Sequence, residues 1–442
     1  MPIKKLEGSA MKTLILDASD AGDATGERVL FVLRNELRSR NWPIDHVHLP
    51  AQQIGNCAGD FFCWIRTPGL CHIDDDNRAI AQAVIGCDLL VYLTPVTFGG
   101  YSSELKRVVD HLTQNLLPFF MKVNGEVYHQ LRYAHCPKLL VIGWLDSPDA
   151  NQEAIFHHLV QRNAINMRFA PYVSGVVYAD QSDADLAGAI QAWVGEVEHR
   201  LSPPPRGLPP VTMARSGETP PQRALLLIGS PRGKQSTSQS LGGYLFEHLN
   251  ARGIQTETIQ LYPALGSQER IRTLLAAIDA PDLIVLAFPL YVDSLPGLVV
   301  RAMELIAAQR AGSPMKQTFA AIANCGFPEA KNNQTALAIC ATFAEKAGFA
   351  WAGGLALGAG EAVVNQTPLK ELGWRGNTIR AALDLTADNL ASGRPIPEEA
   401  MMLMAKQRIP KSLFALMGNF GWKQRAKKYG VEKSMRKRPY LS

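Results

Sequence analysis

The sequence predicts a doubly wound α/β fold built twice in one chain. Three observations carry that reading. Strand-like and helix-like segments alternate along both halves, a proline-rich stretch separates the halves, and one strand segment recurs. Such alternation points to a parallel sheet with helices on both faces. The recurring segment is Asp88-Leu-Leu-Val-Tyr-Leu-Thr-Pro95, matched by Asp282-Leu-Ile-Val-Leu-Ala-Phe-Pro289.

In the second half, residues 223–228 form a short apolar run suited to a buried parallel strand. Gly229 to Ser238 follows as a loop, and Leu241, Leu245 and Leu249 then repeat on one helical face. Strands are expected over 282–288, 318–324 and 349–357, and helices over 298–308, 334–347 and 378–390. The first half has expected strands over 12–16, 88–93, 138–144 and 172–178, with Val29, Leu33 and Leu37 marking its first helix. Lys12 to Asp88 spans 76 positions where Arg223 to Asp282 spans 59, and a cysteine-bearing insertion around Cys57–Asp74 accounts for the extra 17.

The 442 residues suffice for two or three ordinary domains, and 47% apolar with 19% charged residues is the balance of a well-buried globular chain. No run of 18 apolar residues exists, so no membrane span is expected. Met11-Lys-Thr13 looks like a second start, which makes residues 1–10 an extension. Seven scattered cysteines do not read as a disulfide framework, so a reducing, cytoplasmic setting is expected. Seven prolines between Ser202 and Gln222 suggest a semi-rigid linker. The expected units are therefore 11–201, the linker 202–222, 223–400 and a tail, 401–442. From Met402 onward, eleven Lys and Arg face one acid, Glu432, so the tail carries +10 and the rest of the chain −5 of the formal +5.

The most informative stretch is Gly229-Ser230-Pro231-Arg232-Gly233-Lys234-Gln235-Ser236-Thr237-Ser238. It joins a strand to a helix N-terminus, where free backbone N–H groups and the helix dipole favour an anion. Glycine admits close approach, Arg232 can present a fork of donors to a phosphate, and Ser236, Thr237 and Ser238 add hydroxyls and can cap the helix. The loop holds no acid and lacks the Gly-Lys-Ser/Thr ending of a P-loop. A capped turn without a ligand is the plain alternative, and the density of donors argues against it.

This loop resembles that of the NADPH-dependent FMN reductase family, a branch of the flavodoxin-like fold. Two further segments agree: Pro289-Leu-Tyr-Val-Asp-Ser-Leu-Pro296 and Asn324-Cys-Gly-Phe-Pro-Glu329. Both follow strands, where open α/β sheets bind ligands at a topological switch point. The resemblance implies two flavodoxin-like sheets in strand order 2-1-3-4-5, with FMN in the second. Ser230, Arg232, Ser236, Thr237 and Ser238 would hold its phosphate. Pro289, Leu290, Tyr291 and Val292 would line one edge of the isoalloxazine, and Asn324, Cys325, Gly326, Phe327 and Glu329 the other. Tyr291 and Phe327 offer aromatic faces to a flat ring, although either alone would be ordinary packing.

The equivalent loop of the first half is Asp17-Ala-Ser-Asp-Ala-Gly-Asp-Ala-Thr-Gly-Glu27, followed by Arg28. Acids at a helix N-terminus suit capping and repel a phosphate, so no tightly bound FMN is expected there. Thr94-Pro-Val-Thr-Phe-Gly-Gly100, with Ser102, Leu105, Lys106 and Asp110 after it, resembles the flavin-ring loop of the iron–sulfur flavoprotein branch. So do Cys57-Ala-Gly-Asp-Phe-Phe-Cys63, Pro68-Gly-Leu-Cys71 and Asp74-Asp-Asp76. That branch has a further cysteine where Asp60 stands, and clusters usually take four thiolates, so reduced thiols and no metal are expected. Cys87, Cys136, Cys325 and Cys340 read as small core residues. Because such reductases dimerise with the flavin near the subunit interface, the resemblance also implies an intrachain pseudo-dimer, with a homo-oligomer as the other arrangement.

The expected function is FMN-dependent electron transfer, with NADPH or NADH as a transient co-substrate and a quinone, flavin, metal or protein as acceptor. No side chain stands out as an acid or base. Two alternatives stand beside it: an electron carrier pairing FMN with a cluster at Cys57, Cys63 and Cys71, and a non-catalytic flavin-binding module docked at a membrane. The tail mixes Leu413, Phe414, Leu416, Met417, Phe420 and Trp422 with cations. That composition suits packing across the acidic body or peripheral contact with an anionic membrane, and suits nucleic acid less.

Overall fold

Leu14, Ile15 and Leu16 are fully buried, as a parallel strand with helices on both sides requires, and they centre the strand Thr13–Asp17. A computed structural model describes residues 10–441 apart from 124, 200, 205, 212, 214–218 and 314–316. The expected N-terminal extension, bar Ala10, and part of the linker lie outside the described residues.

The first sheet runs Ile44–His48, Thr13–Asp17, Leu89–Thr97, Lys138–Leu145, Tyr172–Tyr178, all parallel. The second runs Gln255–Gln260, Arg223–Ile228, Leu283–Pro289, Gln317–Asn324, Phe349–Leu357, also all parallel. Both have the flavodoxin-like order 2-1-3-4-5. Central strands and their helices fall within a residue or two of expectation, except that Leu89–Thr97 continues past Pro95 to pair antiparallel with Gly100–Tyr101. Two of the four edge strands, Ile44–His48 and Gln255–Gln260, were not foreseen. Gln255–Gln260 is mostly exposed and polar, so it lacks the apolar run that marks its neighbours. The hairpin Leu116–Val123 with Glu126–Leu131 was also not foreseen.

The halves meet through equivalent helices. Ser103–His111 packs on Gly297–Gln309, and Ala150–Met167 packs on Gln334–Lys346. Helix approach is close at Gly297, where a Cβ would lie 2.8 Å from Arg107 N. Lys106 and Asp110, 1% and 3% exposed, pair inside this seam. Lys106 Nζ also donates to Tyr291 O (2.8 Å), and Asp110 Oδ2 accepts from Gly297 N (2.8 Å). One apolar cluster continues through both halves, while a second backs the outer face of the first sheet.

The tail folds back onto this body. Glu398–Ala405 packs on strand Phe349–Leu357, burying Ala400 and Met404. Lys411–Lys427 then crosses to the hairpin and to the short helix Phe62–Ile65, burying Phe414, Trp422 and Ala426. Buried Arg132 donates to Met435 O and Lys437 O, and Tyr440 Oη donates to Gln114 Oε1, so the chain end is fastened to the first half. No helix among the described residues is long and apolar enough to cross a membrane.

Candidate active site

The phosphate-loop segment leaves strand Arg223–Ile228 and enters helix Thr237–Asn250. Ser236 caps that helix: its Oγ accepts from Gln239 N (3.1 Å) and donates to Gly233 O (2.7 Å). Gly233 takes φ +57°, which the tight turn needs. The N–H groups of Thr237 and Ser238 begin the helix and have no intrahelical acceptor, and the first turn carries no acid. Ser230, Ser236 and Ser238 are buried and Thr237 is half-buried. Asn324 Nδ2 donates to Ser238 Oγ (3.0 Å) and Phe288 O (2.9 Å), tying the fourth strand's end to the loop. This donor set fits a phosphate.

The first-half loop has similar placement and opposite chemistry. Asp23 caps helix Ala24–Ser39 by accepting from Gly26 N, and its other oxygen accepts from Trp144 Nε1 (2.8 Å). Asp17 accepts from Ser19 N and Ser19 Oγ and pairs with His46. Burial pushes the Asp17 carboxyl up, but His46 and Ser19 outweigh it and hold it below its usual range. Asp17 and Asp23 thus occupy the Ser19 and Gly26 donors, and with Glu27 in the first helical turn they place negative charge where a phosphate would sit. Arg28 turns away to Asp183 and to the carbonyls of Ala179 and Gln181.

A cavity of about 690 Å³ opens between the halves, beyond the C-terminal ends of the second sheet. Leu290, Tyr291, Val292, Cys325, Gly326 and Phe327 line it, which brings the two expected ring segments together. The other expected residues stand outside its walls. Pro289 ends its strand, and Asn324 serves the phosphate loop as described. Glu329 turns toward the hairpin and the tail, accepting from Val127 N (3.2 Å) and pairing with Lys411 (3.1 Å). Arg232 reaches out of its loop: Nε donates to Gly59 O (2.9 Å), the guanidinium stands over Phe61, and Nη1 lies 3.8 Å from Glu361.

The first half builds the opposite wall and holds the ring loop in place. Val292 and Asp293 take φ +42° and +60°, a strained backbone that needs external support. Lys106 supplies it at Tyr291 O, Asn163 Nδ2 at Val292 O (2.9 Å) and Asn166 Nδ2 at Asp293 Oδ2 (3.0 Å). Gly59, at φ +62°, lets the insertion close on this loop, since a Cβ there would overlap the Tyr291 hydroxyl. Phe61 stacks on Trp64 at 5.0 Å, and Trp422 from the tail meets Trp64 edge-on at 5.2 Å. These aromatic residues and Arg425, which pairs with Glu361 (3.0 Å), were not foreseen as site residues. The signal was the aromatic run Phe61-Phe62-Cys63-Trp64 inside an insertion, and bulky residues in a basic tail.

The model of a family described as NADPH-dependent FMN reductase matches residues 11–134 and again 223–345. Among solved structures, an NAD(P)H:quinone oxidoreductase from Methanothermobacter marburgensis is 12% identical, with 39% of this chain and 96% of that one covered at a TM-score of 0.31. An FMN-dependent NADH-azoreductase from Bacillus anthracis, in complex with FMN, is 12% identical, with 38% and 99% covered at a TM-score of 0.29. No curated protein matches the chain.

Proposed function

Because the chain belongs to the NADPH-dependent FMN reductase family, with FMN as cofactor and NAD(P)H as electron donor, we propose that it is an oxidoreductase with one working site, in the second half. The observation that carries this is the contrast between the two loops. One carries four serine or threonine hydroxyls, Arg232 and no acid, while the other is capped by Asp23, with Asp17 and Asp20 before it and Glu27 in its first helical turn. Ser230, Arg232, Ser236, Thr237 and Ser238 would hold the phosphate. Leu290, Tyr291, Val292, Cys325, Gly326 and Phe327 would take the ring, with Pro289, Asn324 and Glu329 supporting them. When bound, FMN supplies the hydride chemistry. The chain's part is to hold the ring loop through Lys106, Asn163 and Asn166, and to exclude water with Phe61, Trp64 and Trp422. The first half then acts as the fixed partner of an intrachain pseudo-dimer, and the cavity admits a small flat acceptor such as a quinone.

Mixing the purified protein with NADPH under anaerobic conditions should bleach the flavin band, and adding a soluble quinone should restore it. Failure of both NADPH and NADH to bleach it would overturn the enzyme reading. The electron-carrier alternative requires Cys57, Cys63 and Cys71 to converge on a cluster. Among the described residues no group of three His, Cys, Asp or Glu side chains is placed to hold a metal ion. Iron in stoichiometric amount in the purified protein would favour that alternative.

Peripheral membrane contact through the tail is supported by the outer face of helix Lys411–Lys427. Leu413, Leu416, Met417 and Phe420, 45%, 70%, 57% and 63% exposed, share one face at helical spacing, with Lys423 and Lys427 beyond them. Co-sedimentation with vesicles rich in anionic lipid should be lost in Leu416→Glu/Phe420→Glu. Equal sedimentation of both forms would rule this contact out.

A further inference from the structure

Three thiols, Cys57, Cys63 and Cys71, line the cavity, and their surroundings differ. Cys71 is 7% exposed, and its Sγ lies 3.7 Å from Nδ1 of buried His111. His111 Nε2 lies 3.0 Å from Gly55 O, a group that can only accept, so the proton of the neutral ring sits on Nε2 and the Nδ1 lone pair faces the thiol. That arrangement lets the thiol proton pass to Nδ1, leaving a thiolate beside an imidazolium. The Ile73 backbone and the Asn77 side chain also favour the thiolate. Burial works against the thiolate, but these partners outweigh it, so Cys71 lies below its ordinary value and His111 above its own. Burial dominates at Cys57, pushed up to about 12, and at Cys63, pushed well up, so both stay protonated.

The charged groups facing the pair come from several elements. Asp110 adjoins His111 and favours its cation, with Lys106 beyond it on the same helix. Asp60 and the other two thiols come from the insertion, Arg78 from helix Asn77–Ile85, Arg132 from the end of the hairpin, and Tyr440 from the tail.

We propose that Cys71 is a nucleophilic thiolate, activated by His111, that exchanges with the disulfide bond of a small disulfide entering the cavity. The Cys71 sulfur attacks one sulfur of the substrate, forming a mixed disulfide and breaking the substrate's S–S bond. The departing thiolate takes the proton from His111 Nδ1. Cys57 or Cys63 then attacks the Cys71 sulfur as its own proton passes to the second substrate half; the mixed disulfide breaks, an intrachain disulfide forms, and that half leaves as a thiol. One disulfide is reduced and two chain thiols are oxidised. The two electrons that restore them equal one hydride from NAD(P)H, so turnover rests on the proposed reductase reading, while the first exchange does not.

The test is therefore made on full-length protein without added nucleotide. Iodoacetamide labelling is followed by peptide mass spectrometry across pH 5 to 9, alongside exposure to glutathione disulfide. Cys71 should label first, with a midpoint below that of a free thiol of about 8.5, and glutathione should be found on Cys71 or displaced by a Cys71 disulfide. His111→Gln should raise the labelling midpoint, and Cys71→Ser should abolish the adduct while retaining FMN. The wild-type pH profile decides the matter if His111→Gln does not fold. Labelling of Cys57 or Cys63 ahead of Cys71, or a Cys71 midpoint at or above the free-thiol value, would overturn the proposal and leave the reductase reading standing.

Discussion

Replacing Arg232 with alanine should weaken FMN binding by about 10- to 100-fold while the fold survives. A hydrogen bond to a charged group contributes about 1.5–3 kcal/mol, and each 1.4 kcal/mol is a factor of ten. The backbone donors at the start of helix Thr237–Asn250 would remain, which is why binding should fall and not vanish. The change also releases Gly59 O and the Phe61 ring, so the insertion loses its tie to the phosphate loop. Arg232→Lys keeps the charge without the fork and should fall between the two. Flavin fluorescence titration reads the affinity and urea unfolding reads the fold. Unchanged FMN affinity in Arg232→Ala would remove this residue from the site.

Lys106→Met should lower the stability of the chain by about 3–5 kcal/mol, because it leaves the buried Asp110 carboxylate without its cation. Burial already pushes the Asp110 carboxyl above its ordinary value despite the Lys106 charge. Without Lys106 it should rise further. A carboxyl whose folded value is raised favours folding below its unfolded value and loses that contribution as pH rises through the folded one. The deficit of Lys106→Met should accordingly be smallest in acid and grow toward neutral pH. Lys106→Met/Asp110→Asn should recover part of the loss, since asparagine can still accept from Gly297 N. A pH-independent deficit in urea midpoints would show that the pair is not the cause.

How far the sequence reveals this molecule depends on what each element buries. Runs such as residues 283–289 and 317–324 are apolar because they are covered on both faces, so periodicity finds them. Gln255–Gln260 sits at a sheet edge, is largely exposed, and reads as loop. The strand-to-helix loop at residues 229–238 could be singled out because its hydroxyls and Arg232 lie within ten consecutive residues. The rest of the site could not, since it joins Cys71 to His111 and Gly59 to Arg232 and Tyr291 across long stretches of sequence. The tail shows the same limit. Phe414 and Trp422 look like Leu416 and Phe420 in sequence, yet the first pair packs inward and the second faces out, a distinction set by where the helix lands.

We propose that two sheets of one fold serve one flavin. Releasing the flavin from FMN-saturated protein by denaturation, and counting it by absorbance against chain concentration, tests that claim most directly. The contrast between the acid-free loop at residues 229–238 and the loop carrying Asp17, Asp20 and Asp23 predicts one FMN per chain. Two per chain would contradict it by showing that the acidic loop also holds a phosphate, and none would remove the second-half site altogether.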